Sequence, residues 1–133
     1  MAEVIVFPDA EQVLCDWLEP ALAARGTAVP VTTRVPSPRP ARFVRVIRTG
    51  GVRATLVTDA PQVTVESFAG TEAAAAALAQ LCRALLNAAP GQVAAAVVYK
   101  VVELAGPQNL PDPLTDQIRY TQTFEIHLRG AAA

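Results

Sequence analysis

The sequence predicts an α+β fold in which two helices pack on one face of a mostly antiparallel β-sheet. Two segments carry apolar residues at helical spacing, and each is followed by runs rich in β-branched residues. The predicted order along the chain is α-β-β-β-β-α-β-β. Placing both helices on the same face of the sheet buries both apolar stripes. A chain of 133 residues has the size of one domain, so we expect a single domain over residues 1–133.

The first helix is predicted over about residues 10–24. Asp9 precedes it as an N-cap, and Gly26 ends it. Pro20 falls inside this segment, so we expect either a bend or a separate last turn there. The apolar residues with helical spacing are Val13, Leu14, Trp17, Leu18, Ala21 and Leu22.

The middle of the chain is predicted to form strands. The runs ARFVRVIRT (41–49) and VRATLVT (52–58) flank Gly50 and Gly51, and two glycines between β-branched runs predict a two-residue hairpin turn. The run PQVTVESFA (61–69) follows as a further strand, after a turn at residues 59–61. Three arginines in the first run have helical spacing, but the β-branched and aromatic residues between them favour a strand.

The second helix is predicted to begin at Thr71 and Glu72 and to end at the Pro90-Gly91 pair. Its apolar stripe consists of Leu78, Leu81, Cys82, Leu85 and Leu86. The run VAAAVVYKVVEL (93–104) then predicts a long strand. Because much of this run is apolar on both faces, it indicates a central strand or one covered by an interface.

The last predicted strand, IRYTQTFEIHLRG (118–130), has the clearest alternation in the chain. Arg119, Thr121, Thr123, Glu125, His127 and Arg129 share one face. The other face carries Ile118, Tyr120, Gln122, Phe124, Ile126 and Leu128. We therefore expect the second set to meet the core and the first set to meet water or a partner.

Composition and charge limit the class of protein. The net charge is −1, so attraction of the whole protein to nucleic acid is weak. The apolar stretches end well before the roughly 18 residues that a membrane span needs, and the N-terminus lacks the pattern of a signal peptide. We therefore expect no membrane association and a cytoplasmic chain. Cys15 and Cys82 are expected to be reduced core residues.

No catalytic motif is evident. His127 is the one histidine, and neither Ser37 nor Ser67 lies in a GxSxG turn. Glycine-rich phosphate and dinucleotide loops are missing from the sequence. Asp112 and Asp116 come closest to a cation site, but they read better as part of a proline-braced loop. The sequence therefore predicts a protein that is not an enzyme and uses no cofactor or metal.

Basic residues are concentrated in one part of the chain. Between Pro20 and Thr58 there are seven arginines and no acidic residue. On a strand, Arg45 points to the face opposite Arg42 and Arg48, which argues against one DNA-reading stripe. The arginines either pair with acids of the same chain or meet acids of a neighbouring copy. The helix-one acids Glu11, Asp16 and Glu19 would suit such a neighbour.

Two proline-rich loops are candidate docking arms, residues 35–42 and 106–117. Proline lowers the entropy cost of holding a loop extended, although the same residues also suit a stiff connection. The docking candidates in the second loop are Pro107, Asn109, Leu110, Pro111 and Asp112.

Four segments together resemble the tail terminator proteins of long-tailed, siphovirus-type phages and prophages of actinobacteria. They are FPDAEQVLCDWL (7–18), TRVPSPRPARFVRVIRTGGVR (33–53), VTVESFAGTEAAAAALAQLCRALL (63–86) and YKVVELAGPQNLPDPLTDQIRYTQTFEIHLRG (99–130). They follow the same order as in that family and cover nearly the whole chain.

The resemblance implies an assembly role without catalysis. Members of that family form hexameric rings that cap the tail tube, end its polymerisation and present a surface to the head-side connector or stopper protein. It also implies a location at the neck end of the virion tail, assembly in the host cytoplasm, and DNA that only passes through the ring. Candidates for subunit contacts or for the channel are Arg39, Arg42, Arg45, Arg48 and Arg53.

Two other functions remain open from the sequence. One is another neck or head-completion protein. The second is a DNA-binding module that uses the basic hairpin over residues 39–53.

Overall fold

The computed structural model describes residues 3–93 and 96–133. Its helices are α1 (Ala10–Ala24) and α2 (Glu72–Asn87). Its strands are β1 (Ile5–Val6), β2 (Val31–Thr32), β3 (Phe43–Arg53), β4 (Thr58–Phe68), β5 (Gly91–Val93), β6 (Ala96–Asn109), β7 (Arg119–Arg129) and β8 (Ala131–Ala132). The main sheet has the spatial order β2-β3-β4-β7-β6-β5, and β1 pairs separately with β8. All pairings in the main sheet are antiparallel except β2 with β3.

Both helices begin as the sequence predicts. The Asp9 carboxylate accepts the N–H groups of Glu11 (3.1 Å) and Gln12 (3.3 Å), which have no partner within the helix. The Thr71 hydroxyl accepts the N–H of Ala74 at 3.1 Å. Helix α1 continues through Pro20 to Ala24, so its last turn is not a separate element.

One core lies between the two helices and a single face of the sheet, which confirms the predicted fold class. The predicted succession of a helix, a group of strands, a second helix and a final group of strands is also confirmed. The buried cluster joins residues of α1 and α2 to alternate residues of β3, β4 and β7. Its strand members include Val44, Val46, Val63, Val65, Phe124, Ile126 and Leu128.

The predicted hairpin turn at Gly50 and Gly51 is wrong. β3 runs through both glycines to Arg53, and the chain reverses over residues 54–57, where the Ala54 N–H donates to the Thr58 carbonyl at 2.9 Å. The glycines instead lie at a shift of register between Arg48 and Gly50. Their positive φ angles, 138° and 90°, suit a β-bulge as well as a turn. Residues 59–61 therefore belong to β4 and do not form the predicted turn.

The predicted single strand over residues 93–104 is divided between two antiparallel strands in the structure. β5 ends at Val93 and β6 begins at Ala96, and Ala94 and Ala95 lie outside the described residues. β6 then continues to Asn109, so the first four residues of the predicted 106–117 loop belong to a strand. β6 is also not central, because only the three-residue β5 lies beyond it in the sheet.

The predicted alternation along β7 is confirmed from Gln122 to Leu128, whereas Ile118 and Tyr120 of the predicted core face are only half-buried. Gln122, Phe124, Ile126 and Leu128 are buried, whereas the residues between them are partly exposed. The side-chain amide nitrogen of buried Gln122 donates to the Ala79 carbonyl of α2 at 2.8 Å, whereas its Oε1 has no partner among the described residues.

Cys15 and Cys82 are free and buried, as predicted. Burial raises the pKa of each thiol to about 12, because the thiolate would lose its hydration. No helix in the described part of the chain is long and apolar enough to span a membrane.

Candidate functional site

Arg45 is half-buried, and its guanidinium is paired with a buried carboxylate. It faces Glu66 across β3 and β4, with 3.2 Å between Nη1 and Oε1. Arg119 of β7 contacts the second oxygen of Glu66 at 2.8 Å. The Arg45 Nε also donates to the Thr33 carbonyl at 3.3 Å. Glu66 is 4% exposed, so both guanidinium groups compensate a carboxylate that is removed from water.

Arg48 has one partner for its side chain and another for its main-chain N–H. Its Nη1 lies 3.1 Å from Oδ2 of Asp59, which is 4% exposed. Its main-chain N–H donates to Oε2 of Glu11 in α1 at 2.8 Å. Glu11 thus contacts the basic tract within one chain through a main-chain N–H, and the predicted pairing of these arginines with α1 acids of a neighbouring copy stays a prediction.

Arg39 joins the two proline-rich loops. It forms an ion pair with Asp112 at 3.1 Å and a hydrogen bond with Gln117. Its guanidinium carbon lies 5.5 and 5.4 Å from the ring centres of Phe43 and Phe68. The two rings are stacked with centroids 4.3 Å apart. Residues 35–42 and the β6–β7 loop therefore form one connected surface at one end of the sheet.

Arg42 and Arg53 differ from the other three candidate arginines. Both are exposed, and neither forms an ion pair within the described residues. Arg42 directly precedes β3 and Arg53 ends it, so they lie at opposite ends of that strand. The five candidates thus separate into three arginines with partners in the chain and two that remain available to a partner.

Sequence reasoning missed Glu66 and Asp59 as the partners of the basic tract. Both lie just beyond the acid-free segment, on the strand that pairs with β3. For Glu66 the antiparallel pairing indicates the partner, because Arg45 and Glu66 are directly opposite. For Asp59 it does not, because Asp59 lies opposite Arg53 but forms its ion pair with Arg48. The register can be predicted only if the turn is placed at residues 54–57, and the glycine pair led to a turn being predicted at residues 50 and 51 instead.

The observed β6–β7 loop spans residues 110–118 and is braced by Asp112. Its side chain accepts the Leu114 N–H at 2.9 Å, and its main chain bonds to Gln117 and Asp116 at 2.9 and 2.8 Å. The Leu114 N–H, followed by Arg39, lowers the pKa of Asp112. Leu114 itself is 93% exposed, which makes it the most exposed large apolar side chain of the described residues.

The docking candidates divide between a strand and this loop. Pro107 and Asn109 lie on β6, whereas Leu110, Pro111 and Asp112 lie in the loop. Leu110 is 47% exposed and Pro111 is also exposed. Sequence reasoning missed Leu114 because nothing in the sequence showed that the Asp112 turn directs it outward.

Comparison with known protein families identifies the class of protein. The family described as phage tail termination protein matches residues 6–133. The chain belongs to this family. No curated protein matches it. As a tail termination protein, it is a structural component of phage tail assembly, and its family interacts with tail and head components.

This tail termination protein also has an apolar groove at the end of the sheet opposite the β6–β7 loop. The groove has a volume of about 780 Å³. It lies beside the paired terminal strands, and its lining includes Val6, Phe7, Val57 and Tyr99. Residues 3–93 and 96–133 place no group of three or more His, Cys, Asp or Glu side chains together at a metal-binding distance.

Proposed function

We propose that this tail termination protein forms a ring that caps the tail tube, ends its polymerisation and provides the surface that the head-side connector or stopper joins. The family match over residues 6–133 carries this proposal. The ring is hexameric, and DNA only passes through it. The chain acts without catalysis and without a cofactor.

The proposed setting is a siphovirus-type phage or prophage of an actinobacterium. The ring occupies the neck end of the virion tail, and it assembles in the cytoplasm of the bacterial host. Its direct partners are other copies of the chain, the major tail tube protein and the connector or stopper protein.

The β6–β7 loop is the proposed contact with the tube. Asp112 and Arg39 hold it in one conformation, so little entropy is lost when it docks. Leu110 and Leu114 would supply the apolar surface that a tube layer covers. Six copies of a weak contact, engaged at once on a ring, would distinguish a tube end from free tube protein.

Arg42 and Arg53 are the proposed residues for subunit contacts or for the channel. Both are exposed, and neither has an ion pair within the described chain. The paired arginines Arg39, Arg45 and Arg48 remain candidates for the same surface, although part of their charge is already balanced by acids of the chain.

Charge reversal at the two available arginines tests this function. We expect Arg42→Glu with Arg53→Glu to shift the protein toward monomer in sedimentation velocity and to lengthen tubes grown in its presence. The double variant Arg25→Glu with Arg34→Glu is the matched control, since it changes the net charge equally at exposed positions. A wild-type chain that stays monomeric with tubes and leaves tube length unchanged would disprove the function.

A gel shift with duplex DNA separates the proposed function from DNA binding. A DNA-binding module would shift DNA at low salt and lose most of its affinity at moderate salt. The proposed terminator gives little shift at either concentration.

A further inference from the structure

The six-stranded sheet has two long strands whose outer edges are mostly uncovered. β6 has 14 residues, but β5 pairs only with Ala96–Val98. β3 has 11 residues, and β2 pairs only with Val44 and Arg45. Along 46–52 of β3 and 99–107 of β6, no strand of the described chain pairs with the outer edge. Long unpaired edges of this kind favour pairing with another chain.

The two uncovered stretches lie at the same level of the sheet. Arg53 of β3 is in register, through β4 and β7, with Val98 of β6, where the cover by β5 ends. Val44 is connected in the same way to Asn109. The short covering strands β2 and β5 therefore stand at opposite ends of the sheet. If a second copy lay beside the first at the same level, the uncovered stretch of its β3 would lie next to the uncovered stretch of β6 in the first copy.

Strand direction also fits this arrangement. β3, β4, β7 and β6 alternate in direction, so β3 and β6 run oppositely. A neighbouring copy in the same orientation would place its β3 antiparallel to β6 of the first copy. The alternation of the sheet would then continue from one subunit to the next without a reversed subunit. Because this contact joins two different edges, it is heterologous and can close into a ring.

The half of β3 nearest the 54–57 turn is the part of this edge that is most available for pairing with another strand. Arg48 has its N–H bonded to Glu11, so that position is already occupied. The Ala54 N–H points to Thr58 on β4, and alternation along an antiparallel strand directs the Arg53 N–H to the outer edge. Val52 is 79% exposed at this part of β3.

β6 offers matching features on the opposite edge. Tyr99 and Leu104 are 50% and 48% exposed, and both are skipped in the pairing of β6 with β7. Val97, Val101 and Val102 of β6 are only half-buried, although the strand is rich in apolar residues over 96–104. An apolar strand at this position is expected when a further strand covers it.

We propose that β3 of one copy pairs with the uncovered edge of β6 of the next, so that one β-sheet continues from subunit to subunit. This inference rests on the proposed self-assembly and specifies the surfaces that carry it. The contact centres on residues 49–53 of β3 and 99–104 of β6, where the exposed apolar side chains lie.

Disulfide crosslinking tests the pairing. Two double variants are made, Val52→Cys with Tyr99→Cys and Thr49→Cys with Leu104→Cys, so that two regions of the edge are sampled. Within one chain, β3 and β6 are separated by β4 and β7, roughly 14 Å, which is too far for a disulfide. Native Cys15 and Cys82 are buried and serve as an internal background.

At least one double variant is expected to form a ladder of covalent oligomers beyond the dimer on a non-reducing gel. Each single-cysteine variant can form a dimer at most. Assembly without a ladder in either double variant would overturn the edge pairing and leave the terminator function standing. Efficient dimers of Val52→Cys alone would also overturn it, since two β3 edges would then meet. A chain that neither assembles nor caps tubes would refute the proposed function itself.

Discussion

The carboxylate of Glu66 lies between the guanidinium groups of Arg45 and Arg119 and is almost completely removed from water. A buried charge of this kind depends on its partners, because an unpaired carboxylate in the sheet would lose its hydration without compensation. Arg45 is itself one third exposed, but its charge already compensates Glu66, so less of it is available to a neighbouring subunit. Arg42, three residues earlier, is exposed and forms no ion pair in the described chain, so the fold does not depend on its charge.

Charge reversal separates these two arginines. Arg45→Glu places a second carboxylate beside Glu66 and should lower the free energy of unfolding by about 3 kcal/mol. Arg42→Glu should change it by less than about 0.5 kcal/mol, because the side chain is exposed. Urea denaturation followed by circular dichroism measures both. Equal stability of the two variants would show that the Glu66 pair contributes nothing to folding.

At the scale of elements, the fold was predictable where a sequence pattern is typical of only one local structure. Asp9 and Thr71 cap their helices as expected, and the alternation of β7 separates core from surface as expected. The Gly50-Gly51 pair has two meanings, because positive φ occurs both in hairpin turns and in bulges. Only the pairing of β3 with β4 beyond the glycines decides between them, and that information lies ten residues further along the chain.

Gly51 should tolerate a side chain much less well than Gly50. A Cβ at Gly51 would overlap the backbone of Ala60, Pro61 and Gln62 on β4, with the Pro61 Cα only 2.8 Å away. At Gly50 the same atom would meet open space, although φ is positive there too. We therefore expect Gly51→Ala to cost at least about 2 kcal/mol more in unfolding free energy than Gly50→Ala. Thermal or urea unfolding of the two variants checks the order, and the reverse order would contradict the bulge geometry.

At the scale of the whole molecule, the sheet has two different ends. One carries the β6–β7 loop and the segment 35–42, joined by Arg39. The other carries the 54–57 turn, the terminal strands and the apolar groove. The sequence predicted two separate proline-rich arms, because neighbouring prolines identify a loop but not its contacts. Their union depends on contacts between residues more than 70 positions apart, which local patterns do not encode.

Loss of the apolar loop surface should weaken capping without affecting assembly. Leu110→Ser with Leu114→Ser removes two exposed side chains, so folding and sedimentation should remain as in the wild type. If a tube layer covers both leucines, the concentration that halves tube growth should rise at least about tenfold. Leu56→Ser is the matched control, since Leu56 is 58% exposed on the turn at the opposite end of the sheet. Tube lengths measured by electron microscopy decide the outcome. If the Leu56 variant fails and the loop variant caps normally, the opposite end of the molecule faces the tube.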